Sequence, residues 1–470
     1  MTYPVPASSV GELLDALSGI AHVEGGRLVI DDESAFRERG VDICVWSATF
    51  SEEHKDVIEV ARWLIWEASQ QLGSPSASIH DLYMARGRGE VKGFTVPAVN
   101  IRTQVFDMAG AMCRAAESLD AGTIIFELAR SEQEYTYQRP GEYITSVLAG
   151  CIGAGWQGPV FVQGDHYQFN AKKYAADPES TTEAIRRLIR EAVAVGYGNI
   201  DIDSSTLVDL SLATVEEQQR TNVERAAEMS ALIRHVEPAD QTISIGGEIG
   251  EVGKQNSTEE ELRAYLDGYR DKLREVAGDV PGLSKVSVQT GTSHGGVPLP
   301  GGGVAEVALD FGTLERLSVV AREYGLAGAV QHGASTLPDE LFHRFPLVET
   351  AEIHLATGFQ NLLYDHPAFP SELLAEMQGW CIANTADERK DGESDTQFLY
   401  KTRKKALGPY KRQLWELPGK DEIIASQESK LRYLFEQLAI GGTREMVERY
   451  ISPAKRSMPA PAALAALQVG

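Results

Sequence analysis

Three histidines in this sequence stand where buried strands end. His166 follows the apolar run Val160-Phe-Val-Gln-Gly164 and Asp165, His294 follows Lys285-Val-Ser-Val-Gln-Thr290, and His332 follows Gly328-Ala-Val-Gln331. Each lies close to a glycine or another small residue that lets a ligand or a backbone approach. Three imidazoles leave the other positions of a divalent metal open. A catalytic zinc requires that, because the substrate must enter the coordination sphere to have its oxygens polarised. Taken singly, each histidine reads equally well as a satisfied polar or surface residue, so the case rests on the three together. His22, His54, His80, His235, His343 and His366 fall in loops or on helical patterns and read as structural.

The elements that would bring such distant residues together are those of a barrel. From about 93 to 357, short β-branched apolar runs alternate with longer amphipathic stretches, as parallel strands with crossover helices require. Strands are expected at 94–101, 123–128, 160–164, 199–203, 242–247, 285–290, 328–331 and 351–356. Helices are expected between them, at 181–195, 215–236, 259–276 and 314–324 among others. Eight strands in this length suit a (β/α)8 TIM barrel, whose strand C-termini all open on one face, so that Asp165, His166, His294 and His332 would converge there. A doubly wound open sheet shows the same alternation, and the polar residues at the strand ends are what favour the barrel.

The expected organisation is an α/β chain in three parts: an N-terminal mixed α/β extension (1–88), the barrel (89–365) and a C-terminal helical extension (366–470). The first part reads as a strand pair, 27–30 with 43–47, and a helix over 53–72. The last reads as charged helices closing in a Pro/Ala-rich tail from Ser452 with the composition of an unstructured segment.

With 68 Asp plus Glu against 44 Lys plus Arg, the net charge of -24 disfavours nucleic-acid and membrane-surface binding. It does not exclude a small phosphorylated ligand held by local dipoles and a metal. Cys44, Cys113, Cys151 and Cys381 lack C-x-x-C spacing and suit reduced thiols. No signal-peptide pattern or long apolar run is present, so the expected location is the cytoplasm.

Beyond this the resemblance is specific. Val162-Gln-Gly-Asp-His166, Gly291-Thr-Ser-His-Gly295 followed by Leu309-Asp-Phe311, and Gln331-His-Gly-Ala-Ser335 resemble, in order, the three metal-binding motifs of the class II, ketose-bisphosphate aldolases. Pro97-Ala-Val-Asn-Ile101 is similar to that family's first strand and Ile202-Asp-Ser-Ser205 to its fourth. Gly247-Glu-Ile-Gly250 is similar to its Glu-bearing fifth strand, and Ala356-Thr-Gly-Phe-Gln360 to the segment after strand eight.

The resemblance implies His166, His294 and His332 as metal ligands, Glu248 as a carboxylate near the metal, and Asp165 as the acid/base. It implies one Zn2+ per chain, with Fe, Co or Mn also acceptable to three imidazoles, and a monovalent cation alongside. It places substrate phosphate on Gly295, Gly333, Ser335 and Thr357, with Asn100 lining the substrate site. The implied reaction is retro-aldol cleavage of a ketose phosphate to dihydroxyacetone phosphate and an aldehyde. That chemistry needs a Lewis acid at the C2 carbonyl and C3 hydroxyl, and a base for the C4 hydroxyl proton. Family members are homo-oligomers, dimers or larger.

The sequence also departs from the family. Where a Gly-Gly-x-Glu-Asp stretch is expected, it runs Glu251-Val-Gly-Lys-Gln-Asn256, and Glu251 is the candidate for the missing acid. His354 replaces an asparagine on strand eight and is a candidate to bind a substrate oxygen or carry a proton. No counterpart of the family arginine for a second phosphate is evident, Arg130 being only a candidate. These departures point to a ketose phosphate other than fructose 1,6-bisphosphate. Gly301-Gly-Gly303 fits neither a Rossmann nor a P-loop pattern and reads as a loop over the site. Two other readings stay open: a non-catalytic, aldolase-related metal-binding subunit, and a barrel zinc hydrolase. Val96-Pro-Ala-Val-Asn100 lacks the first-strand H-x-H that such a hydrolase would use.

Overall fold

In the computed structural model, which describes residues 3–249, 255–291, 309–334 and 337–467, eight parallel strands close on themselves. They are β1 (Val96–Asn100), β2 (Ile125–Ala129), β3 (Val160–Gln168), β4 (Asn199–Asp203), β5 (Ser244–Glu248), β6 (Lys285–Val288), β7 (Ala329–Gln331) and β8 (Glu352–Leu355). Each is hydrogen-bonded to the next, and β8 returns to β1 with His354 opposite Ala98. This is a (β/α)8 TIM barrel with extra helices at both termini, as the alternation predicts.

The crossover helices form where the sequence supplies caps as well as an apolar stripe. Val215–Val236 and Glu259–Ala277 each begin with a reciprocal capping box, Thr214 with Glu217 and Thr258 with Glu261. Their apolar faces, among them Val223, Ala227 and Ile233, and Leu262, Tyr265 and Leu266, join the main core around the sheet. The strands alternate differently. Ile200 and Ile202 belong to that core, while Asp201 and Asp203 are also buried; Ile353 and Leu355 stand in the same relation to Glu352 and His354. Period-two alternation sends one set toward the helices and the other into the barrel, whose interior is therefore charged.

The N-terminal strand pair differs from expectation. Arg27–Ile30 pairs antiparallel with Ala21–Glu24 through Gly25 and Gly26, whose φ values of 56° and 74° give a two-residue hairpin turn. Residues 43–47 instead lie inside the helix Val41–Phe50. That helix is buried on nearly every side (Val41, Cys44, Val45, Trp46, Ala48), so its apolar residues show no 3.6 period to distinguish it from a strand. The 53–72 helix is present as Lys55–Gln71.

The Pro/Ala-rich tail also departs from its composition. Trp66 Nε1 donates to Arg456 O at 2.6 Å, Trp63 Nε1 to Met458 O at 3.0 Å, and Met458 N to Glu67 Oε1 at 2.7 Å. The tail is thus tied along the helix Lys55–Gln71 by polar groups that the helix presents at its surface. No helix among the described residues is long and apolar enough to cross a membrane.

Candidate functional site

The barrel's C-terminal mouth is built by residues that follow the strands, and β3 carries the sharpest local distortion. Its pairing with β4 shifts register between Gly164 and Tyr167, and His166 sits at a left-handed φ of 40°. A side chain rarely adopts that region without compensation, and bulges of this kind re-aim side chains beside functional sites. Here the bulge puts Asp165 and His166 together at one cavity. The cavity, of about 310 Å³, is lined by Asn100, Arg102, Asp165, His166, His332 and His354, with Gly333 and Thr357 also on its wall.

Asp165 is the hub. Its Oδ2 accepts from Asn100 Nδ2 at 2.8 Å, and its Oδ1 lies 3.1 Å from His354 Nδ1 and 3.6 Å from His166 Nε2. Burial alone would raise its pKa, but His166, His354 and the Asn100 bond outweigh that and hold it below the usual carboxylate range. On the other side of His166, Nδ1 lies 3.1 Å from Asp203 Oδ2 and 3.2 Å from Glu248 Oε2. Burial followed by the Asp203 charge pushes Glu248 up to about 7. His332 Nδ1 lies 3.9 Å from the same Glu248 oxygen, and the His166 and His332 ring centroids are 4.1 Å apart.

These donors meet the requirements of a metal. Ligand atoms of Asp165, His166, His332 and His354 all lie within 4.8 Å of one another, as do those of His166, Asp203 and Glu248. Glu248 Oε2 is buried and faces the two imidazoles of His166 and His332, at 3.2 and 3.9 Å. Burial disfavours a charged His166, yet Asp165 and Glu248 raise its pKa well above the ordinary histidine value. A site that draws a proton onto an imidazole this strongly suits a cation in the proton's place.

Beneath the mouth lies a second buried layer. His354 Nδ1 is also 3.2 Å from Glu127 Oε1, and its Nε2 is 2.7 Å from Glu352 Oε1. Lys285 Nζ pairs with Asp201 Oδ2 at 3.0 Å, donates to Gln163 Oε1 at 2.8 Å and pairs with Glu352, which also accepts from Tyr83. Burial would lower the Lys285 pKa, but Asp201 and Glu352 keep it above the normal lysine range.

Of the residues singled out in the sequence, Asn100, Asp165, His166, His332, Gly333, His354 and Thr357 line the one cavity, and Glu248 touches it through His166. Glu251, His294, Gly295 and Ser335 lie outside the described residues. Sequence reading passed over Glu127, Asp201, Asp203, Lys285 and Glu352. Their signal was the charged residue at every second position of otherwise apolar strands, as in Asn-Ile-Asp-Ile-Asp and Glu-Ile-His-Leu. Arg102 was also missed. Its Nε donates to Glu132 Oε1 at 2.7 Å and its Nη1 to Gln360 Oε1 at 2.8 Å, beside Thr357.

The closed parallel barrel gathers acids and imidazoles at its C-terminal mouth in a cluster able to bind a metal. The chain matches the family model of class II fructose-bisphosphate aldolase over residues 87–402, about two thirds of its length, and it belongs to that family. Among solved structures, one from Sinorhizobium meliloti 1021 described as a probable tagatose 6 phosphate kinase is 16% identical. It has a TM-score of 0.52 and covers 80% of this chain and 98% of that one. A fructose-bisphosphate aldolase from Campylobacter jejuni is 17% identical with a TM-score of 0.46, over 79% of this chain and 97% of that one. No curated protein sequence matches the chain.

Proposed function

We propose that this protein is a metal-dependent aldolase that reversibly cleaves the C3–C4 bond of a ketose phosphate, releasing dihydroxyacetone phosphate and an aldehyde. The observation that carries the reading is Asp165, buried and fixed by Asn100 and His354 in the same cavity as His166 and His332. His166 and His332, with His294 from the sequence and Glu248 nearby, would hold the divalent cation, zinc by the family resemblance. When bound, it supplies Lewis-acid polarisation of the substrate carbonyl.

The chain's own residues do the rest. Asp165 accepts the C4 hydroxyl proton as the C3–C4 bond breaks; C4 becomes the aldehyde, and the bond electrons pass toward the ketone oxygen of the other half. Asn100 holds one carboxylate oxygen of Asp165 and His354 the other, so the base does not have to find its orientation during reaction. Gly333 and Thr357 are the described candidates for the phosphate of the dihydroxyacetone half. Glu251, the candidate for delivering a proton to C3, lies outside the described residues.

The test is elemental analysis of purified wild type and Asp165→Asn, beside a cleavage assay over a panel of ketose phosphates. About one divalent metal per chain in both proteins, with triose phosphate release cut roughly 10²- to 10⁴-fold in the variant, is expected. Metal without turnover of any ketose phosphate would transfer the reading to a non-catalytic aldolase relative. Absence of metal would overturn it.

A further inference from the structure

We propose that Glu127, Asp165, Asp201 and His354 form a second cation site, set below the mouth, which takes a hard divalent ion such as Mn2+ in addition to the metal assigned to His166 and His332. One ligand atom from each of the four lies within 4.8 Å of the others, and all four side chains are buried. They stand on β2, β3, β4 and β8, so rigid strands carry every donor. His354, where the sequence departs from the family on strand eight, supplies the nitrogen.

Three of these donors are each oriented through their other polar atom. Glu127 Oε2 accepts from Gln163 Nε2 at 2.7 Å, His354 Nε2 lies 2.7 Å from Glu352 Oε1, and Asp165 Oδ2 accepts from Asn100 Nδ2 at 2.8 Å. The atoms left over face one another: His354 Nδ1 is 3.2 Å from Glu127 Oε1 and 3.1 Å from Asp165 Oδ1. Beneath them Lys285 Nζ donates to Gln163 Oε1 at 2.8 Å and pairs with Glu352, so one ammonium steadies both the Glu127 and the His354 arms. A ligating histidine characteristically turns its other ring N–H to a carboxylate, and Glu352 fills that part.

A proton alone leaves this set incomplete. A proton on His354 Nδ1 bonds to Asp165 Oδ1, and Glu127 Oε1, on a residue that is 0% exposed, accepts no hydrogen bond. Neither carboxylate oxygen of Asp201 accepts one either, Oδ2 having the Lys285 ammonium at 3.0 Å as an ion pair. Against the carboxylates of Glu127, Asp165, Asp201 and Glu352, the described residues of this layer set one lysine and one imidazole. Buried negative charge in excess is costly unless a cation joins it. With the Nδ1 proton replaced by a divalent ion, Glu127 Oε1, Asp165 Oδ1 and His354 Nδ1 become ligands of one centre, and Asp165 keeps a fixed partner.

The donor types separate the two sites. Three carboxylates and one imidazole suit a harder ion than the imidazole-rich cluster of His166 and His332. Mn2+ also stands below zinc in the general order of affinity, so added Mn2+ leaves a resident zinc in place and reports on the second site.

The experiment equilibrates the full-length protein, with its resident metal, against Mn2+ alone, in wild type, Glu127→Gln and Asp201→Asn. Elemental analysis counts manganese and resident metal, and the electron paramagnetic resonance of free Mn2+ gives the affinity. Wild type is expected to take up about one Mn2+ per chain beyond its resident metal, and each variant to bind it about tenfold or more weakly with the resident metal unchanged. Mn2+ should also raise the melting temperature of wild type and not that of Glu127→Gln. Matching melting curves without Mn2+ exclude misfolding, and either variant that meets this condition carries the test. No Mn2+ uptake by wild type, or undiminished uptake by a correctly folded variant, overturns the proposal. The count does not depend on turnover. Uptake that requires Glu127 in a protein that cleaves no ketose phosphate keeps this site and removes the lyase reading, and cleavage without such uptake does the reverse.

Discussion

His354 Nδ1 lies 3.1 Å from Asp165 Oδ1, so the imidazole on β8 holds the carboxylate at the end of β3 from across the barrel. The same ring is braced from below by Glu352 and from the side by Glu127. Burial disfavours its charged form, but Glu127 and Asp165 favour it and raise its pKa well above the ordinary value. His354→Gln keeps a donor of similar reach but no charge. If Asp165 is the base, kcat in ketose phosphate cleavage should fall roughly 10- to 100-fold with a smaller change in KM, because orientation of the base is lost while substrate contacts remain. A variant with wild-type kcat would show that the contact is structural only.

Lys285 and Glu352 form a buried pair, 1% and 0% exposed, at the centre of the barrel. Removing one member of such a pair leaves an uncompensated charge and costs about 3–5 kcal/mol, whereas replacing both by neutral groups of similar size is far less costly. Lys285→Met should accordingly unfold at clearly lower denaturant than wild type, and Lys285→Met with Glu352→Gln should recover most of the loss. Additive losses in the double variant would mean that the two side chains are not coupled.

The eight strands were legible because their short β-branched apolar segments stand out between longer amphipathic stretches. The residues at the mouth were legible for the same reason: His166 and His332 interrupt the pattern where it ends. Glu127, Asp201 and Glu352 were not, because each sits inside a strand whose alternate apolar residues carry the pattern. Only the closing of β8 onto β1 makes those positions an interior. The strand expected at 43–47 failed because burial on all sides of Val41–Phe50 erases the periodicity on which the distinction rests.

Asp42 offers a pH-dependent test of the packing between the N- and C-terminal elements. Burial first, then the charge of Asp107, pushes its carboxyl up to about 6, and Lys420 only partly offsets this. An acid whose folded pKa is raised binds its proton more tightly in the folded state. Stability is therefore lost as pH rises from the unfolded value, near 4, through about 6, and the penalty is constant above that. Asp42→Asn removes the penalty. The melting temperature of the variant should match wild type near pH 4 and exceed it above pH 6. A gap of equal size at both values would assign the effect to packing instead of ionisation.

The tail from Ser452 is held by hydrogen bonds from two tryptophans, and their loss has a direct optical consequence. Trp63 Nε1 donates to Met458 O and Trp66 Nε1 to Arg456 O, while the Glu67 carboxylate accepts from Met458 N and Ser457 Oγ. Trp63 and Trp66 are 4% and 6% exposed with the tail in place. Deleting 453–470 strips the acceptors from both indoles and opens one face of the helix Lys55–Gln71 to water. The expected result is a red-shifted tryptophan emission and a lower melting temperature. No described residue of the tail lines the cavity, so metal content and any ketose phosphate cleavage at 25 °C should persist. Unshifted emission in the truncated protein would mean that the tail does not cover these tryptophans in solution.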